Sequence, residues 1–231
     1  MLATGKKQST SNIEFGAHQA ILVVNDESRD SLPEELQHGI VLTIYEAKGL
    51  EFDDILLYNF FKDSQAGKEW RVVTSFLDEL ISEENEHTSE DEIESFVELD
   101  YDAFKEKQTQ SRPLQFDPIK HKALNTELKH LYTAVTRARV HVWIFDADKE
   151  KRAPMFEYFR ARKMAKNTTE SKEAGVFMHA EDSTPEDWFD RGMELMEKSV
   201  YKVAAICFSR GNDLKMAKIA NSHQKAQEAM K

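Results

Sequence analysis

Four short apolar runs organise the first two thirds of the chain. Residues 19–25 (QAILVVN) form an almost wholly apolar run rich in β-branched side chains, and 40–45 (IVLTIY) and 54–59 (DILLYN) are further apolar runs. That pattern predicts strands of a parallel sheet covered on both faces. Residues 140–145 (VHVWIF) predict a fourth strand. Between the runs the spacing turns helical. Residues 33–37 suit one or two turns, and 69–81, 92–107 and 154–164 read as helices. Residues 120–137 make the clearest one, with Leu124, Leu128, Leu131, Tyr132 and Val135 on one side. The link at 46–53 is charged and contains Gly49, and it follows the end of a strand, where open α/β sheets bind their ligands.

The pattern changes after a polar stretch at 165–173 (AKNTTESKE), which has the composition of a linker. Beyond it the chain is purely helical. Thr184 fits an N-cap, Pro185 the first helical position, and Asp187 the first turn. Three helices follow at 185–198, 200–210 and 213–229, with breaks near Ser199 and at Gly211-Asn212. The expected organisation is a flexible lead-in (1–17), an α/β domain (18–165) with an acidic helical insertion at 78–118, a linker (166–183) and a helical repeat (184–231).

Charge modifies this picture locally. The 31 Lys and Arg against 42 Asp and Glu leave a net charge of −11, which argues against a protein that coats nucleic acid by neutralising phosphates. The deficit is concentrated: residues 78–102 hold twelve acids and no Lys or Arg, whereas 120–139 is basic. The single cysteine, Cys207, excludes an internal disulfide and fits a reducing compartment. No apolar run approaches the roughly 18 residues needed to cross a bilayer. The expectation is an intracellular protein without membrane contact, in nucleus or cytoplasm. No His/Cys spacing suggests a metal site.

Two segments carry candidate chemistry. Residues 43–52 read TIYEAKGLEF and residues 127–138 read ELKHLYTAVTRA. The first resembles motif V of UvrD/Rep-type superfamily 1 helicases (T-x-H-x-A-K-G-L-E-F). The second resembles their motif VI (E-x-R-R-L-x-Y-V-A-x-T-R-A). The resemblance covers residues 18–146 and implies the second RecA-like motor domain of such an enzyme. It also implies ATP as cofactor, with Mg²⁺ held mainly by the first motor domain. It assigns Glu51 to the ribose, Gly49 to close backbone approach, Thr136 to the local helix end and Arg137 to an arginine finger on the γ-phosphate. Thr43, Tyr45 and Lys48 become candidate contacts to single-stranded nucleic acid. On the residues alone, Lys48 is either a solvated lysine or a charge partner inside the site, and Arg139 is better read as an ion-pair residue.

Departures limit the resemblance. Tyr45 stands where histidine is common, and Leu128 with Lys129-His130 replaces an arginine-rich lead. The chain has no G-x-x-x-x-G-K-[ST] loop to cradle the β-phosphate. Two functions therefore compete. One is part of an ATP-dependent helicase motor that turns over no ATP without its P-loop domain. The other is a non-catalytic interaction platform. In the tail, Trp188, Gly192, Leu195, Ala204 and Phe208 fall at tetratricopeptide-repeat spacings, or else mark a generic helical hairpin with small residues in its seam. The combination resembles large helicase-like proteins that carry tetratricopeptide and ankyrin repeats, and implies protein partners through the repeats.

Overall fold

The computed structural model describes residues 16–76, 115–165 and 183–230. The lead-in up to residue 15, most of the acidic insertion with the helix expected at 92–107, and the linker through residue 182 lie outside the described residues. The strands are β1 (Gln19–Val23), β2 (Ile40–Thr43), β3 (Phe52–Tyr58) and β4 (Ala138–Phe145). All pair in parallel, in the order β2-β1-β3-β4. Helices α1 (Asp26–Asp30) and α2 (Glu34–Gln37) connect β1 to β2. After β3 come α3 (Phe60–Asp63) and a 3-10 helix (Gly67–Val73); α4 (Lys122–Val135) leads into β4. Then follow α5 (Lys149–Ala161) and the tail helices α6 (Pro185–Glu197), α7 (Tyr201–Arg210) and α8 (Leu214–Ala229).

Strand alternation sorts the apolar residues into two clusters. Ala20, Leu22, Ile40, Leu42, Ile55 and Leu57 face the main core, with Trp70, Leu124, Leu131 and Met155 above them. Ile21, Val23, Val41 and Leu56 face a smaller cluster closed by Leu32 and Leu36. The tail belongs to the main core: Trp188, Leu195, Val203, Ala204 and Phe208 are contiguous with the sheet's own residues. One apolar core therefore serves sheet and tail together.

Two elements depart from the hydrophobic pattern. Through Val73 the segment read as a helix at 69–81 is a 3-10 helix, whose Trp70 is fully buried and donates Nε1 to Ser64 Oγ at 3.0 Å. Helix α5 begins five residues before Pro154, because Asp148 caps it by accepting from Glu150 N and Lys151 N. The helix expected at 154–164 therefore starts earlier, and Pro154 sits inside it.

The tail helices follow the sequence signals closely. Thr184 and Asp187 form a reciprocal capping box, with Pro185 at the first turn. The breaks fall at Ser199 and Asn212, whose φ values are 61° and 60°. Helices α6 and α7 pack as a hairpin with Gly192, Ala204 and Phe208 in its seam. Trp188 is 8% exposed, with the Arg210 guanidinium 4.7 Å from its ring centre.

Candidate functional site

The two motifs meet. Phe52 N donates to Arg137 O at 2.9 Å, and Arg137 Nη1 donates to Leu50 O at 3.2 Å. Gly49, Glu51, Thr136 and Arg137 therefore share one edge of the sheet. That edge lies at the amino ends of β3 and β4, not at a carboxyl end. The reason is topological. Because β2 and β3 run parallel, the link between them must return across the sheet, so it starts at the carboxyl end of β2 and finishes at the amino end of β3. The expected placement of Gly49 at the ligand-binding end of a strand is corrected accordingly.

The polar groups at this edge are engaged within the chain. Arg137 Nε donates to Thr133 O at 3.1 Å and Nη2 to Thr136 Oγ1 at 3.1 Å, besides Nη1 to Leu50 O. Thr136 Oγ1 in turn donates to Thr133 O. The guanidinium thus staples the end of α4 to the link before β3. Glu51 has an exposed side chain, and its main-chain carbonyl accepts from Arg191 Nη2 at 3.1 Å. Gly49 has φ of +82°, and a Cβ there would lie 2.9 Å from Lys198 Nζ. The chain itself already covers the close approach a glycine allows, so these residues do not fit a nucleotide as they stand. Gly49→Ala is expected to lose about 1 kcal/mol in urea denaturation, mainly from the left-handed conformation, since the Lys198 tip can move aside.

Arg191 and Lys198 were missed by motif reading. Arg191 Nε donates to Ala17 O at 2.9 Å and Nη1 to Glu194 Oε2 at 2.5 Å, while its guanidinium lies 4.3 Å from the Phe52 ring centre. Burial lowers its pKa from the ordinary value, and Glu194 opposes that shift. A signal did exist. Trp188, Arg191, Gly192 and Leu195 form the buried stripe of α6 at helical spacing, and a cation in such a stripe demands partners.

The candidate nucleic-acid residues lie on the turn that follows β2, where Lys48 N donates to Tyr45 O at 3.2 Å. Thr43, at the carboxyl end of β2, is buried, and its N and Oγ1 donate to Glu46 Oε2 at 2.8 and 3.0 Å. Glu46 is also ion-paired with Arg29, which reaches Asp26 at 2.9 Å. Tyr45 is 86% exposed and Lys48 is exposed. At the same carboxyl edge Asp146 is 1% exposed and accepts from Phe61 N at 2.7 Å and Lys62 N at 3.0 Å. Burial raises its pKa, against those hydrogen bonds. Its contacts cap α3, a structural role. Among the described residues no group of His, Cys, Asp or Glu could hold a metal, and no helix is long and apolar enough to cross a membrane.

Over 228 residues the chain is 46% identical to human TPR and ankyrin repeat-containing protein 1. The match takes in 98% of this chain and 8% of that protein, so the chain spans a small part of its relative's length. No protein-family model matches the chain, and no solved structure does. The superfamily 1 helicase assignment is therefore corrected, together with the ATP-hydrolase and nucleotide-binding functions drawn from it. Nearly the whole chain, both motifs included, aligns with a protein named for its repeats. The motif likeness has a physical counterpart in a different use: Gly49, Glu51 and Arg137 build a joint inside the chain.

Proposed function

We propose that this chain is a non-catalytic interaction module, in which a RecA-like parallel sheet (residues 18–165) carries a tetratricopeptide-like helical repeat (184–231) and fixes its orientation toward protein partners. One observation carries the reading. The Glu51 carbonyl accepts from Arg191, and Gly49 lies beside Lys198, both partners belonging to the tail, while Arg137 holds Leu50 in place next to them, so the end with motif likeness joins sheet to tail. The relative's name supports the same direction, since it specifies helical repeats. Such repeats bury their faces by stacking on neighbours. Helix α8 leaves Leu214 66% and Ile219 37% exposed, and Ile206 of α7 is 39% exposed, as expected of surfaces that meet another protein.

The test is nucleotide binding by thermal shift and titration calorimetry on the whole chain. A ligand held at 100 times its Kd would add about 2.7 kcal/mol of stability, a shift of several degrees. Mg·ATP is expected to produce none. Arg137→Ala is expected to lower stability by about 1–2 kcal/mol whether or not nucleotide is present, because it removes the staple. Micromolar nucleotide binding that disappears in Arg137→Ala would overturn the interaction reading.

A further inference from the structure

The tail helices carry a charge opposite to that of the whole chain. Residues 198–225 hold six Lys and Arg against one acid, Asp213, in a protein of net charge −11. Helical spacing gathers part of that charge. In α8, Lys218, Asn221 and Lys225 fall on one stripe. Both lysines are exposed, and neither has an ion pair among the described residues. The single acid of α8, Glu228, accepts instead from Gln224 Nε2 at 2.8 Å.

A groove runs beside that stripe. Helices α7 and α8 lie antiparallel, since Tyr201 stacks on His223 at 5.1 Å and Gln227 Nε2 donates to Ser199 O at 3.4 Å. Between the two helices is a groove of about 450 Å³, lined by Lys202, Ala205 and Ile206 of α7 and Asn221 of α8, and closed at one end by Arg210. Ala205 is buried, and Ile206 is the half-exposed apolar side chain of the lining. The start of α7 meets the end of α8, so Lys202 stands with Lys225 at one end and Lys218 lies toward the other. Seven residues of helix separate the two lysines of α8, a rise of about 10 Å. Arg210 is committed elsewhere, with its guanidinium over the Trp188 ring and bonded to the His38 carbonyl.

From this charge and spacing we infer that the α7–α8 groove takes an acidic amphipathic helix of a partner protein. Its two carboxylates sit about two helical turns apart on one face, with an apolar side chain between them. The complement is direct. A helix laid along the groove repeats the rise of α8, so one carboxylate meets Lys218 while the other meets Lys225 and Lys202. The apolar side chain between them covers Ile206 and Ala205. The apolar floor favours a peptide over a nucleic-acid strand, which would need phosphates met along a longer basic track. Net charge adds selectivity, because a chain at −11 repels other acidic proteins except where a basic face meets them. The inference rests on the reading of this chain as an interaction module and gives that module's partner a chemistry.

The test is fluorescence anisotropy of a labelled helical peptide titrated with the intact chain. The peptide carries Glu at two positions seven residues apart and Leu at the third and fourth positions after the first Glu. Binding is expected with Kd on the order of 10–100 µM at low salt. It should weaken at least about tenfold in about 0.5 M NaCl, as screening shortens the reach of the lysines. Lys218→Glu with Lys225→Glu should weaken it at least about tenfold while leaving the circular dichroism unchanged. A peptide with Lys in place of both Glu should then bind that variant and not the original chain. Ile206→Ala should cost a few-fold, about equally at every salt concentration. Absence of binding at millimolar peptide overturns the proposal, as does equal binding of the Lys peptide by the original chain. A single-stranded oligonucleotide that binds more tightly than the peptide also overturns it. So does a chain that takes the peptide only after Glu90, Glu92 and Glu94 are changed to Gln, since its own acids then hold the groove. Self-association that the peptide abolishes would give the groove to a second copy and reject an outside partner. Failure of the peptide without nucleotide binding leaves the interaction module standing, whereas nucleotide binding removes that reading whatever the peptide does.

Discussion

Arg191→Ala is expected to lower stability by about 3 kcal/mol, read as a shift in the urea midpoint by circular dichroism. The side chain is 8% exposed and holds the carbonyls of Ala17 and Glu51 while lying on the Phe52 ring. Removing it leaves those acceptors buried without a donor and opens space at the core's centre. Arg191→Lys should recover little, because an ammonium cannot reach two carbonyls and a ring face in the guanidinium's fixed geometry. Cys207 provides a local reporter. It is fully buried, and burial pushes its pKa up to about 12, so native chain at pH 8 should resist thiol reagents. Arg191→Ala should speed that labelling before global unfolding sets in. Loss of stability with no change in Cys207 labelling would show that the tail does not depend on this contact.

The second large effect sits one residue further along the same helix. A Cβ at Gly192 would lie 2.6, 2.8 and 2.9 Å from three ring atoms of Phe208, which is itself fully buried. Gly192→Ala sets overpacking of about 1–3 kcal/mol against a gain of about 1 kcal/mol in helix preference, and a modest net loss is expected. Gly192→Val has no such offset and should lose about 3 kcal/mol or more. Shortening the opposing ring tests the geometry. In the Gly192→Val background, Phe208→Leu should restore about 1–2 kcal/mol, although alone it destabilises. Strict additivity of the two substitutions would mean that they do not share the seam.

Much of the fold was legible. β1 and β2 are apolar runs buried throughout, and β3 holds the apolar stretch Ile55–Leu57, a local signal that needs no tertiary knowledge. The start of α6 was equally local, written in Thr184, Pro185 and Asp187. Exposure of β4 was not legible, because VHVWIF resembles the buried runs, and its edge position follows from strand order alone. The two motif segments meet through Leu50, Phe52 and Arg137. Which end of the sheet they occupy depends on where the β2–β3 link returns, and what covers them depends on Arg191 and Lys198, more than a hundred positions downstream. Short helices such as α1 rest on a cap, Asn25 accepting from Ser28 N, and lack the length to show a period.

The joint between sheet and tail and the staple beside it share a property that bears on mutational tolerance. Arg191 grips the carbonyls of Ala17 and Glu51, and Arg137 grips those of Thr133 and Leu50. A carbonyl is the same whatever side chain its residue carries. Position 51, whose carboxylate faces solvent, is therefore free to vary in a saturation scan, while positions 137 and 191 are not. A pattern search keyed to side chains sees only half of each contact. The half it sees looks like a ligand site with a residue exchanged, when it is one arm of a clasp whose other arm is sequence-blind.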